Sequence, residues 1–349
     1  MRLLKTLTSI TLVALSLAAT AAVGAAQNDA APTPPAQTPA GRSSSQPPPA
    51  APGAGRGRGA GRGAEAPPRT LDTATIDRFM NKPGQMIGDV YKISLPRTDL
   101  SVTVGDLAIK PGFALGGWAA FELAPTGNQA VVHGDLVLTE GEVNPVLSAL
   151  GQHDFDITAL HNHLLNASPM VMYVHFWAEG SPASLAASLR DVLSKTKTPL
   201  AAATTSTTAP DDLPVDKIQE AVGLKGTVAN GVLSLSQARP ETIRMMGVTL
   251  PPSMGMSTSI NFQSAGGDKV AATGDFVLAA DEVNRVARTL RSRDIEITAL
   301  HNHMMQGSPD LYFMHFWAVG DPAKIGAALK TALGQVKRPA PPPEPSPSR

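Results

Sequence analysis

Residues Ile157 to Glu179 read ITALHNHLLNASPMVMYVHFWAE, and Ile297 to Val319 read ITALHNHMMQGSPDLYFMHFWAV, the same phrase 140 positions later. Outward from that phrase the match runs without a gap from Val131–Ser184 to Ala271–Lys324, with 26 of 54 positions identical. Farther upstream Ile76, Val90, Arg97 and Gly105 correspond to Ile218, Val232, Arg239 and Gly247 at an offset of 142, so two residues were gained or lost near Lys110. A unit of roughly 130 residues is therefore present twice, and tandem duplication sets the architecture before any motif is read.

Within a copy the periodicity changes in a fixed order. Asp99 to Ile109, Trp118 to Leu123 and Ala130 to Leu138 alternate apolar with polar residues and predict half-buried strands. Thr139, with Glu142 three residues on, is a helix N-cap signature, and Val143, Val146, Leu147 and Leu150 then share one helical face. Ile157 to His163 and Val171 to Glu179 predict two strands joined through Asn166 to Pro169. A second helix begins after Ser181-Pro182 with Leu185, Leu189, Val192 and Leu193 on its apolar face. The expected class is α+β: two tandem repeats, each a mostly antiparallel sheet with two helices.

The flanks have a different composition. Residues 1–26 have the order of a secretory signal peptide: Arg2 and Lys5, an apolar run from Leu7 to Ala19, then small residues. Residues 27–70 are an Ala/Pro/Gly-rich linker without enough large apolar side chains to offset the entropy of ordering. Its Arg56, Arg58 and Arg62 alternate with glycine and read as flexible linker rather than as a nucleic-acid arm. Repeat domain 1 is expected at 71–199, a linker at 200–212, repeat domain 2 at 213–339 and a Pro-rich tail at 340–349. Leu7 to Ala19 falls short of the roughly 20 apolar residues of a membrane span, and no later segment approaches that length. The expectation is a periplasmic or secreted protein after signal-peptide cleavage.

Cysteine is absent, which excludes disulfides, thiolate ligands, cysteine nucleophiles and a lipid-accepting cysteine. The 29 basic and 29 acidic residues cancel, so no overall field favours nucleic acid or an anionic membrane. Histidine and carboxylate chemistry remain.

Six of the eight histidines hold matching repeat positions: His161, His163 and His175, then His301, His303 and His315. The others, His133 and His153, are replaced by Thr273 and Arg293. On a strand, residues 161 and 163 project to one face. A hairpin centred on Pro169 pairs 163 with 175, so the three imidazoles share that face with Tyr173 and Trp177, provided no bulge intervenes. Leu160, Met172, Val174 and Phe176 take the opposite, core-facing side, leaving the histidine face to line a cleft. Three such donors form the ligand set of an open zinc site, and a divalent metal, zinc before copper, is the expected cofactor. His133 would make the first site a four-histidine one. Met170, Met172, Met304, Met305 and Met314 lie near the triads in sequence; as thioether ligands they would favour copper, as core or loop residues they would not.

Two carboxylate pairs hold their repeat positions near the triads: Asp135 with Asp275, and Glu142 with Glu282. Each is a candidate acid/base or fourth ligand. Each also has a structural alternative, a turn or bulge after Gly134 for Asp135, and the capping box for Glu142. Ala279 replaces Thr139 while Glu282 stays, which tilts the glutamates toward function. Asn162 and Asn302 point away from the triads and read as structural.

With Gly134-Asp135, Glu142-Val143-Asn144-Pro145, Thr158-Ala159-Leu160-His161-Asn162-His163 and His175-Phe176-Trp177 in view, the sequence resembles the LppY/LpqO family of exported bacterial proteins, a domain of unknown function. Some members are lipoproteins, from which this chain departs by lacking the cysteine. The resemblance implies no reaction. A fainter similarity links the His-x-His plus distal His to acetolactate decarboxylase and the plant-and-prokaryote-conserved domain. The expectation is an exported metal-binding protein, as a metal-dependent hydrolase or lyase acting on a small molecule. The alternative is a non-catalytic module for copper or a cell-envelope ligand. Oligomeric state is left open.

Overall fold

The structure, a computed structural model, describes residues 69–125, 127–201 and 205–338. The expected signal peptide, all but the last two residues of the linker 27–70, and the tail 340–349 lie outside the described residues.

Copy one runs α1 (Thr73–Met80), β1 (Gln85–Ile87), β2 (Val90–Pro96), β3 (Thr103–Val104), β4 (Leu107–Ala108), α2 (Pro111–Ala114), β5 (Gly116–Leu123), β6 (Ala130–Thr139), α3 (Glu140–Gln152), β7 (Asp156–His161), β8 (Ala167–Ser168), β9 (Val171–Gly180) and α4 (Pro182–Leu193). Copy two repeats it as α5 (Val215–Val222), β10 (Gly226–Ala229), β11 (Val232–Ala238), β12 (Arg244–Met245), β13 (Val248–Thr249), a 3₁₀ turn (Pro252–Met254), β14 (Ser257–Ser264), β15 (Val270–Ala279), α6 (Ala280–Arg291), β16 (Glu296–His301), β17 (Gly307–Ser308), β18 (Leu311–Gly320) and α7 (Pro322–Leu333). Each copy builds a six-stranded antiparallel sheet, in the orders β1-β2-β5-β6-β9-β7 and β10-β11-β14-β15-β18-β16. Two small three-stranded sheets, β4-β3-β8 and β13-β12-β17, flank them. None of the described helices is long and apolar enough to cross a membrane.

The expected α+β repeat is present, with an additional helix opening each copy. Asp72 caps α1 by accepting from the backbone N–H of Thr75 at 3.0 Å, and the helix buries only Ile76 and Met80. Two turns with two apolar contacts leave too faint a period to read in advance. A second difference is β2: its apolar Tyr91, Ile93 and Leu95 enter the core while Lys92 and Ser94 alternate with them. The expected long strand over Asp99–Ile109 is instead a minute hairpin turning at Gly105. Its alternating Val102 and Ile109 are buried in a cluster between the copies rather than in a sheet face.

One face of each main sheet carries the helices. In copy one Ile93, Phe121, Val132, Leu136, Val174 and Phe176 pack against Val146 and Leu150 of α3 and Leu185 and Leu189 of α4. The equivalent core of copy two contains Phe262, Phe276, Met314 and Phe316 under α6 and α7. The other faces meet each other. One inter-copy cluster joins Val90, Val131 and Trp177 to Met245, Val277 and Phe313; another joins Phe113, Val137 and Tyr173 to Val232, Ala271 and Trp317. Apolar residues on what would be the outer face of an isolated repeat thus have a physical explanation: each copy covers the other.

Candidate metal centre

Between those two apolar clusters lies a polar interior, and the histidines fill it. β6 and β9 pair in regular antiparallel register with Asp135 opposite His175, as Asp275 is opposite His315. β7 joins the far edge of β9 with Ala159 opposite His175 and His161 opposite Tyr173, after a register shift between Ile157 and Ala159. The expected pairing of 163 with 175 is therefore displaced by four residues. Ala167–Ser168 is drawn away to pair with β3, so the connection is a broad loop and His163 lies beyond the strand end. An even displacement preserves the face, and the bulge falls upstream of His161, so His161 and His175 still share one side.

The histidine faces of the two copies meet, and His163, His175, His303 and His315 line a cavity at that junction. His161, His175, His303 and His315 are buried, and the rings pair across the copies as a local twofold requires. His161 lies on His301 at 3.6 Å between ring centroids, His163 on His315 at 3.9 Å, and His175 on His303 at 3.7 Å. His163 is also stacked on Tyr173 and His303 on Phe313, both at 3.4 Å.

Donor atoms do not sort by copy. One set with ligand atoms within 4.8 Å of one another is His161, His301, His303 and His315; a second is His133, His175 and His303. The second copy's triad is brought together and joined by His161. The first copy's three imidazoles do not form such a set among the described residues; His163 Nε2 lies 3.0 Å from His161 Nε2 and 4.0 Å from Asp135.

Several rings have their tautomer fixed. His133 Nδ1 bonds the carbonyl of Phe176 at 3.0 Å, His175 Nδ1 that of Gly134 at 3.2 Å and His301 Nδ1 that of Asn302 at 3.2 Å. A carbonyl only accepts, so the bonded nitrogen donates and the neutral ring's other nitrogen keeps a lone pair. Metal-bound histidines are oriented in this way. His133 Nε2, His161 Nδ1, His175 Nε2, both nitrogens of His303 and Asp135 Oδ1 are buried without a hydrogen-bond partner in the protein. Each such atom costs on the order of 1–3 kcal/mol when left unsatisfied. Burial lowers the basicity of all these rings, to about 4 for His133 and for His301, with the Phe176 and Asn302 carbonyls opposing the shift.

Beside the histidines is a cavity of about 410 Å³ lined from both copies, by His163, His175, Asp135, Lys92 and Trp118 on one side and His303, His315, Asp275, Ser257, Ser259, Asn261 and Thr273 on the other. Lys92 Nζ donates to the Ser253 carbonyl at 2.9 Å and lies 4.2 Å from the Trp118 ring centre; burial, opposed by Asp135, lowers its pKa to about 8. Burial first, and for Asp135 the charge of Asp275, pushes both carboxyls up, Asp275 to about 7. The cavity is asymmetric in chemistry: the position opposite Asp135 is Trp118, whereas that opposite Asp275 is Ser259.

A family model described as Domain of Unknown Function (DUF1259) matches residues 74–195 and 216–335. The chain belongs to the DUF1259 family. This DUF1259 chain therefore contains two tandem copies of the domain, the same duplication seen in the sheets. Among curated proteins no relative matches it. Among solved structures, a trimeric bacterial microcompartment shell protein, PduB, matches over 72% of this chain and 89% of that one, at 8% identity and a TM-score of 0.19. A likeness of that size says nothing about fold or function.

The remaining candidates fall elsewhere. Glu142 accepts from the backbone N–H groups of Thr139 and Lys197, both at 2.9 Å, and from Arg97 at 2.7 Å. Glu282 does the same with Ala279, Lys337 and Arg239. Neither lines the cavity. This corrects the tilt toward function: Glu282 survives the loss of a capping threonine because it also neutralises a buried arginine. Asp99 and Glu241 complete the two clusters, and the spacing Arg97-x-Asp99 against Arg239-x-Glu241 was the available signal. Asp135 is mid-strand in β6, not in a turn. Gly134 is required there because a Cβ would press on the Phe176 ring and lie 2.7 Å from the Trp118 carbonyl. Asn162 Nδ2 bonds the Thr298 carbonyl of the other copy at 3.1 Å, a structural role. Met314 belongs to the core, Met305 and Met170 are exposed, and Met304 packs in an inter-copy cluster. Lys92, on the unexpected strand β2, was missed; Ser234 takes its place in copy two, so the repeat gave no signal.

Proposed function

We propose that this protein is an exported metal-binding protein, of LppY/LpqO type, whose two copies assemble one shared centre for a divalent transition metal, zinc first. One observation carries the reading. His301 Nε2 and His315 Nε2 stand 2.9 Å apart, and the His301 ring already uses its other nitrogen as donor to a carbonyl. Two ring nitrogens at that separation share a cation, either a proton in an N–H···N bond or a metal ion, and the second is the occupant proposed. Nitrogens each 2.0–2.1 Å from one tetrahedral zinc lie about 3.3 Å apart, close to the spacing here. His161 and His303, members of the same donor set, also carry buried unpartnered nitrogens, Nδ1 in His161 and both in His303.

A divalent cation there would act as a Lewis acid on an oxygen-bearing ligand. The chain's own groups supply the rest: Lys92 places a cationic donor in the cavity, the serine and threonine hydroxyls offer polar contacts, and the aspartates are positioned to move a proton. Metal-assisted hydrolysis or lysis of a small molecule is the enzymatic form of this proposal, with Asp135 and Asp275 as acid/base in the periplasm or outside the cell. The four-imidazole set favours a second form. Four protein donors close a tetrahedral shell, and a closed site holds metal rather than turning over substrate. Copper is the alternative ion. Metal analysis of the purified chain tests the common claim: stoichiometric transition metal is expected, lost when the six repeat histidines are replaced. Trace metal, unchanged in that variant, overturns it.

A further inference from the structure

We propose that the centre is dinuclear: a second transition-metal ion binds His133, His175 and His303, and His303 bridges the two ions through both ring nitrogens as an imidazolate. This rests on the metal reading above and extends it.

The second set shares two features with the first. Its donor atoms lie within 4.8 Å of one another. His133 and His175 each give Nδ1 to a backbone carbonyl and keep a buried, unpartnered Nε2. Copy two shows that a histidine at position 133 is not needed for folding, because Thr273 Oγ1 makes the equivalent bond to the Phe316 carbonyl at 2.9 Å. What His133 adds over threonine is a second nitrogen, Nε2, buried and unpartnered.

His303 differs from its neighbours. It belongs to both sets, and neither of its nitrogens is bonded to a carbonyl; both are buried and unpartnered. Its ring lies against Phe313 at 3.4 Å and His175 at 3.7 Å between centroids, with neither nitrogen hydrogen-bonded. A neutral imidazole has one ring proton. Binding one ion at each nitrogen displaces that proton, which passes to solvent, and leaves a ring of charge −1 between two cations. The three-donor set leaves a coordination position open, and two of its members, His175 and His303, line the cavity.

Copper titration of the metal-free full chain tests this, with bound copper counted by mass spectrometry and unpaired spins by electron paramagnetic resonance. The wild type is expected to bind two coppers per chain with a low-temperature spin count well below its copper content, because an imidazolate couples the two spins. The variant His133→Thr, which copies the other repeat and is checked by circular dichroism for an unchanged fold, is expected to bind one copper with a full spin count. Two uncoupled coppers in the wild type overturn the bridge. One copper in the wild type, or two in His133→Thr, overturns the second site while leaving the shared centre standing. No copper in either removes both readings.

Discussion

Arg97 and Arg239 are the buried charges on which each copy's sheet-to-helix junction depends. Arg239 reaches the Val277 carbonyl at 2.8 Å, Glu282 at 2.6 Å and Glu241 at 3.1 Å, with its side chain almost wholly enclosed. Removing one partner of such a pair strands the other's charge and costs about 3–5 kcal/mol. Arg239→Met is accordingly expected to lower the unfolding free energy by that amount in urea titration while the folded variant keeps its metal. Lost metal at unchanged stability would return Glu282 to the functional site. Acid should act through the same pair. Burial opposes ionisation of Glu282, but Arg239 and the Lys337 and Ala279 N–H groups outweigh it and hold its carboxyl below the ordinary value. A depressed folded value means the contribution is full at neutral pH and disappears as pH falls through it, so the wild-type advantage over Glu282→Gln should shrink on acidification below the ordinary carboxyl range.

At the scale of elements, β6 and β9 position the donors because their register is regular over ten residues. Gly134 is the position where that register is most tightly constrained. Gly134→Ala is expected to cost about 1–3 kcal/mol by overpacking against Phe176 and the Trp118 carbonyl. It should also weaken metal binding, since the Gly134 carbonyl orients His175. A neutral effect on both would contradict the packing described. The strands β5, β6, β9 and the helices α3 and α4 were legible in the sequence because each has a clean period of two or 3.6. The hairpin face was legible too, even with its register displaced, since parity alone decides which side a strand residue takes. β2 was not: it is a short segment between Gly88 and Pro96, and its Lys92 points into a cavity that only the second copy completes.

The whole molecule is what the sequence left unread. That one copy's histidine face closes on the other's is long-range information, although Trp177 and Trp317 on those faces already hinted that they were covered. The consequence is that metal should tie the copies together. A ligand at 100 times its Kd that binds only the folded state adds about 2.7 kcal/mol, a rise of roughly 5–10 °C in Tm for a protein of this size. Zinc is expected to produce that rise in the wild type, and His161→Ala to lose most of it although the second copy's triad is untouched. An undiminished rise would mean that the triads act separately.

Anomalous diffraction at the zinc edge, from crystals of the zinc-loaded chain, is the most direct measurement. The account predicts a peak at roughly 2.0–2.1 Å from histidine nitrogens contributed by both copies, His161 together with His301, His303 or His315. A peak enclosed by the histidines of one copy alone, or none among them, would contradict it.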